Sequence, residues 1–142
     1  MQTIPDTLCY LNGEYGSLRD AKVSVLDRGF IFGDGIYEVV PAYGGKLFRF
    51  DEHMARLSRS LGKLRIVNPH TREEWLARCR KLLAALTDTT GAADQLVYIQ
   101  LTRGVALRDH VMPADIAPTV FMMCSPMKPP SPEQRQIGRA HV

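Results

Sequence analysis

The apolar period of this chain changes from two to about 3.6 at Asp51 and returns to two at Gln95. Alternation suits a half-buried strand, and a three-to-four spacing suits one face of a helix, so the switch predicts strands, then helices, then strands. Before the switch, Thr7–Asn12 and Glu14–Ser17 read as strands joined by Asn12-Gly13, a dipeptide whose residues both tolerate positive φ. Lys22–Leu26 alternates enough to predict another strand. Gly35–Tyr43 is rich in β-branched and aromatic residues, and Gly44-Gly45 turns it into Lys46–Phe50, a second hairpin. Past the switch, Asp51 is the expected N-cap of a helix with Met54, Leu57 and Leu61 on one face and an end near Gly62–Leu64. Thr71-x-x-Glu74 is a capping box for a second helix, in which Trp75, Cys79, Leu82, Leu83 and Leu86 share a face and Gly91 lies just beyond. Gln95–Thr102 and Thr119–Cys124 read as strands flanking a loop over Gly104–Pro113. The expected fold class is α+β, an antiparallel sheet with two packed helices.

Composition removes several classes of function. The 142 residues suffice for one core and so one domain. Eighteen basic against fifteen acidic side chains leave +3, too mild and too evenly spread to suggest a nucleic-acid or membrane partner. The apolar runs are too short for a membrane span, and the N-terminus lacks the pattern of a signal peptide, so the expected location is cytoplasmic. Cys9, Cys79 and Cys124 are far apart and odd in number, which predicts three reduced, mostly buried thiols rather than a disulfide framework. Neither these nor His53, His70, His110 and His141 show metal-ligand spacing. Gly33-Asp34-Gly35 is not followed by the helix that a dinucleotide-binding turn requires.

Four places carry more polar specificity than a plain core needs. Asp27–Val40 holds three glycines in seven positions, crowded by Asp27, Arg28, Asp34, Tyr37 and Glu38. A structural turn explains the glycines but not the charges, and Tyr37 and Glu38 fall on opposite faces of the strand that follows. Arg56 is either a solvated helical arginine or the donor fork for a phosphate or carboxylate. Arg108 and His110 are either a surface pair with Asp109 or two donors on one side of an extended loop, suited to a carboxylate. Tyr98, on the strand that feeds this loop, reads as a half-buried strand aromatic.

These segments carry a resemblance. Asp27–Val40, Tyr43-Gly44-Gly45-Lys46-Leu47-Phe48 and Glu52-His53 with Arg56-Leu57 resemble the fold-type IV, pyridoxal-phosphate-dependent aminotransferases. Gln100-Leu101-Thr102-Arg103-Gly104 followed by Arg108-x-His110 resembles the D-amino-acid branch, the D-alanine aminotransferases. The likeness runs in order from about Thr7 to Pro130. It implies pyridoxal 5′-phosphate as cofactor, with its phosphate on Arg56. It also implies a substrate α-carboxylate on Arg108, His110 and the Tyr37 hydroxyl, and a homodimer in which the Arg-x-His loop can serve the partner's site. The implied reaction moves an amino group from a D-amino acid to a 2-oxo acid, with the cofactor as electron sink and a lysine as proton shuttle.

That lysine is not in hand. Lys22, Lys46, Lys63, Lys81 and Lys128 all miss the position the family uses, so no catalytic residue is assigned here. The resemblance places residues 1–125 as the N-terminal small domain and 126–136 as the start of an interdomain linker, with the lysine on a second domain. The last six residues, Ile137–Val142, match nothing in the family. Their possible codons, ATC GGA AGA GCA CAC GTC, spell the start of a common short-read sequencing adapter, so 137–142 is expected to be a non-native tail. Two relatives of the same fold, branched-chain aminotransferases and aminodeoxychorismate lyases, are alternatives that Arg108-x-His110 argues against. A non-catalytic binding or dimerisation module is the alternative of another class.

Overall fold

A computed structural model describes residues 2–128 and 133 of the chain. The elements are β1 (Leu8–Leu11), β2 (Glu14–Ser17), α1 (Arg28–Phe32), β3 (Gly35–Tyr43), β4 (Lys46–Leu47), α2 (Phe50–Leu64), α3 (Arg72–Thr90), β5 (Gln95–Thr102) and β6 (Thr119–Pro126). The six strands form one antiparallel sheet in the order β2-β1-β6-β5-β3-β4. Helices α2 and α3 cover one face, α2 over β3 and α3 over β1, β6 and β5. This is the α+β architecture expected from the change of period.

The two faces of the sheet differ because alternate side chains point to opposite sides. Val40 and Ala42 of β3, Val97, Ile99 and Leu101 of β5, and Val120 and Met122 of β6 are buried beneath the helices. They meet Met54, Leu57 and Leu61 of α2 and Trp75, Cys79, Leu82, Leu83 and Leu86 of α3, the faces that helical spacing identified. The capping box is present, since the Thr71 hydroxyl accepts from the Glu74 N–H and the Glu74 carboxylate accepts from the Thr71 N–H. On the other face, Tyr37, Tyr98 and Phe121 run across three strands, with ring centroids 6.2 Å apart at each step. Among the described residues no large element covers them. A cleft of about 440 Å³ beside them is lined by Leu11, Lys22, Phe30, Gln100 and Phe121, among others.

Several local expectations need correction. Lys22–Leu26 is not a strand: Val23 and Val25 alternate, but no described strand pairs with them and both are exposed. The strand after Gly44-Gly45 is only Lys46–Leu47, because Arg49 takes a left-handed conformation (φ 53°) and turns the chain into α2. Asp51 is therefore not the N-cap. The helix begins at Phe50, which this turn drives into the core, and Asp51 and Glu52 sit in the first turn, where the helix dipole favours them. A short helix, α1, occupies the middle of the glycine-rich segment. All three cysteines are free and buried. Strand β6 extends to Pro126. The linker expected over 126–136 lies outside the described residues except for 126–128 and 133, and the tail over 137–142 lies wholly outside them.

Candidate active site

The charges of the Asp27–Glu38 segment build a scaffold. Asp27 caps α1, its Oδ1 accepting from the Gly29 N–H at 2.8 Å while Oδ2 accepts from the Thr119 hydroxyl at 2.6 Å. Helix α1 ends at Gly33 in a left-handed conformation (φ 65°) that suits glycine. Asp34 then accepts from Arg28 Nε at 3.1 Å and from Arg103 Nε at 2.6 Å. Arg103 also donates to the Leu64 carbonyl, which ties the end of β5 to the end of α2. Burial pushes the Asp34 carboxyl up, but the two arginines outweigh it and hold the group below its ordinary value. Gly35 lets β3 pass close to β5, since a Cβ there would lie 2.3 Å from the Leu101 carbonyl oxygen.

Glu38 is the next charge, with its side chain only 4% exposed. It points to the helix side of the sheet and accepts from Arg56 Nε and Nη2, each at 2.9 Å, in a two-pronged contact. His53, one turn earlier on α2, places Nδ1 2.8 Å from Glu38 Oε1. Burial raises the Glu38 carboxyl, yet these hydrogen bonds outweigh it and hold the group below the usual carboxylate range. An ionised carboxylate only accepts, so His53 donates from Nδ1. The Arg56 side chain is 58% exposed and borders a cleft of about 340 Å³ lined by Arg49, Glu52, His53 and Arg59. The cleft is cationic on balance, with a donor set matched to phosphate.

Tyr37 points the other way, to the uncovered face, where it is 67% exposed and packs against Tyr98. The Tyr98 hydroxyl donates to Gln100. Arg108 and His110 lie in the irregular connection 103–118. Both rest on Phe32, with the Arg108 guanidinium carbon 5.5 Å from the ring centre and the His110 ring 5.5 Å away. Arg28 Nη1 donates to the Asp109 carbonyl at 2.8 Å and anchors the middle of this triplet. The structure thus brings Arg108 and His110 together, while Tyr37 and Arg56 stand on opposite faces of the sheet. Spacing alone pointed to none of the partners Glu38, Asp34, Arg103 and Phe32. The crowding of charge around the glycines was the available signal. The thiols offer no nucleophile, since burial pushes Cys79 and Cys124 up to about 12.

Comparison with known proteins bears on the family and the fold. The profile of the amino-transferase class IV family matches residues 35–142. D-alanine aminotransferase of Staphylococcus haemolyticus is 42% identical over 116 residues, which are 82% of this chain and 40% of that protein. Among solved structures, the branched-chain amino acid aminotransferase of Escherichia coli superposes with a TM-score of 0.76 at 22% identity, covering 87% of this chain and 40% of that one. The 4-amino-4-deoxychorismate lyase of Pseudomonas aeruginosa superposes with a TM-score of 0.69 at 27% identity, over 92% and 44%. The chain belongs to the class IV aminotransferases. It spans about two fifths of the length of the curated relatives it matches.

Proposed function

We propose that this chain forms the substrate-recognising part of a D-amino-acid aminotransferase that moves the amino group of D-alanine to 2-oxoglutarate. The observation that carries the reading is the placement of Arg108 and His110 side by side on Phe32, two donors presented together by one loop. In this reading they hold the substrate α-carboxylate, and Tyr37 supplies a third donor. With the carboxylate held there and the amino nitrogen directed to the cofactor, the hydrogen and the side chain on Cα meet different surroundings, which distinguishes the two enantiomers. Likeness to D-alanine aminotransferases at 42% identity supports the D-amino-acid branch over the lyase, at 27%. It supports that branch equally over the branched-chain enzymes, whose likeness at 22% speaks for fold alone.

Arg56 would hold the phosphate of pyridoxal 5′-phosphate, and the residues present fit that group: a guanidinium with free donors, clamped from behind and facing a cationic cleft. When bound, the cofactor supplies an electron sink for the carbanion left by breaking the Cα–H bond. The lysine for proton transfer is expected outside these residues, since none of Lys22, Lys46, Lys63, Lys81 and Lys128 stands where the family places it.

The reading includes a homodimer. Val25 and Phe30 are exposed, as are Val105, Leu107, Val111 and Met112. The two groups adjoin, because the Arg28 N–H donates to the Gly104 carbonyl and the Ala106 N–H to the Leu26 carbonyl. An apolar patch of this kind marks an interface, and it borders the loop that bears the trap. Among the described residues no helix is long and apolar enough to cross a membrane, and the proposed setting is the cytoplasm.

Two assays test the proposal. The 142 residues alone, supplied with pyridoxal 5′-phosphate, D-alanine and 2-oxoglutarate, are expected to show no turnover and no absorbance band of lysine-bound cofactor. The product of the reading frame continued at its source locus is expected to transaminate D-alanine and not L-alanine. Preference for L-branched substrates, or release of pyruvate from aminodeoxychorismate, would overturn the assignment.

A further inference from the structure

We propose that Glu38 is a positioning residue for Arg56: it fills the inner donor edge of the guanidinium and thereby presents the outer edge, already aligned, to a phosphate group. The inference rests on the Arg56 reading above. A guanidinium carries five N–H donors in one plane, and each of two edges fits a pair of oxygens. Glu38 takes Nε and Nη2, which leaves the Nη1 donors and the second Nη2 donor for the cleft. Glu38 cannot swing with its partner. It sits within β3, opposite Ile99 of β5, and His53 holds Oε1 at 2.8 Å. An arginine as exposed as Arg56 otherwise samples many rotamers, and ordering them on binding weakens the complex.

Charge alone predicts the reverse. A carboxylate beside an anion site repels the ligand and competes for the arginine. Positioning and repulsion therefore act with opposite sign on phosphate affinity, and neutralising Glu38 shows which wins. The burial of Glu38 decides in favour of positioning: its charge is countered by Arg56 and set back from the cleft, its carboxylate is held by hydrogen bonds from Arg56 and His53, and its geometric constraint acts directly on Arg56.

The test uses the 142-residue chain and its Glu38→Gln and Arg56→Ala variants. The readouts are the NMR signal of the Arg56 Nε–H and titrations with pyridoxal 5′-phosphate, inorganic phosphate and pyridoxal, which lacks the phosphate. In the unsubstituted chain the Nε–H signal is expected to be single and protected, and to shift with the two phosphates but not with pyridoxal. Arg56→Ala abolishes phosphate binding. Glu38→Gln, shown to be folded by its unfolding transition, weakens pyridoxal 5′-phosphate binding by roughly tenfold although it removes a negative charge. Unchanged or tighter binding in Glu38→Gln overturns this inference and leaves the Arg56 reading standing. Absence of Arg56-dependent binding in the unsubstituted chain overturns both. Should Glu38→Gln not fold, the unsubstituted chain decides: a fast-exchanging Nε–H on a freely rotating guanidinium overturns the proposal, and a protected one supports it.

Discussion

Arg56 stands on a fifteen-residue helix and is clamped by a carboxylate buried in the central sheet, whereas Arg108 and His110 stand in the irregular connection 103–118 and rest on one aromatic ring. The first arrangement is held by charged hydrogen bonds between regular elements, the second by stacking, by the Arg28 donation to the Asp109 carbonyl and by the Val111 N–H on the Asp109 carboxylate. The contrast suits the proposed roles. A group that stays bound needs a fixed holder, while a group that enters and leaves with every turnover is better met by a segment that can move. Asp34 joins the two, since Arg28 reaches toward the loop and Arg103 toward the end of α2.

The largest effect is expected at this junction. Asp34→Ala leaves Arg28 and Arg103 buried without their counter-charge, a change that costs about 3–5 kcal/mol when a buried pair is broken. Urea unfolding of the variant measures the loss. A loss below about 1 kcal/mol would mean that anchor and loop are independent and that the junction joins nothing.

Next comes Gly104→Ala. Gly104 has φ +115°, and an added Cβ would lie 2.1 Å from the Ala117 carbonyl oxygen. Both strain and clash act at the base of the trap loop, so the expected cost is about 2–3 kcal/mol. Amide exchange should quicken more across 103–118 than around Glu38, where only the global loss is felt. Equal quickening in α2 would erase the contrast between the two regions.

Acid should act in two windows. Burial, with help from Arg78, lowers the His70 pKa, so the unfolded chain takes up that proton first and stability falls as pH drops through the ordinary value of 6.5. This loss belongs to the Tyr10–His70–Trp75 cluster, and His70→Gln is expected to remove it. Asp34 and Glu38 have depressed values, so their stabilisation is intact above the ordinary carboxyl values of 3.8 and 4.5 and is lost as pH falls through and below them. Denaturant midpoints across pH measure both windows. Asp34→Asn should shrink the lower window and leave the upper one in place.

The legibility of the chain follows the same divide. Strand β5 occupies the residues that alternation predicted, and the buried face of α3 is the one read from spacing, because period and capping are properties of consecutive residues. Helix α1 carries no such signal, since five residues with one glycine are too short for an amphipathic period. The left-handed Arg49 that starts α2 is equally hidden, because non-glycine residues adopt that conformation for tertiary reasons. At the site, Arg56, Tyr37, Arg108 and His110 are visible as residue types within motifs. Their partners are not, because Glu38 lies 18 positions from Arg56 and Asp34 lies 69 from Arg103, and the first pairing is set by how α2 packs on β3, the second by the β3–β5 register.

The smallest effect, and the sharpest test of the contrast, is expected at Phe32. Its ring lies 4.7 Å from the Arg28 guanidinium carbon, 5.5 Å from that of Arg108 and 5.5 Å from the His110 ring. Phe32→Leu keeps an apolar side chain and removes the π face, and partly exposed contacts of this kind contribute about 0.5–1 kcal/mol each. Because α1 stays capped by Asp27 and tied to β6 through Thr119, and leucine keeps part of the apolar contact, global stability should drop by about 1–2 kcal/mol, less than at Asp34 or Gly104. The loop should respond far more. Proteolysis at Leu107–Met112 should accelerate while the Arg56 Nε–H signal holds its position, since the ring contacts of Phe32 run to Arg28, Arg108 and His110 rather than to Glu38 or α2. Phe32→Trp, which keeps the ring face, should restore protection of the loop. If Phe32→Leu instead destabilised the chain as much as Asp34→Ala, the trap loop would be part of the folded core, and the division between a fixed anchor and a movable trap would fail.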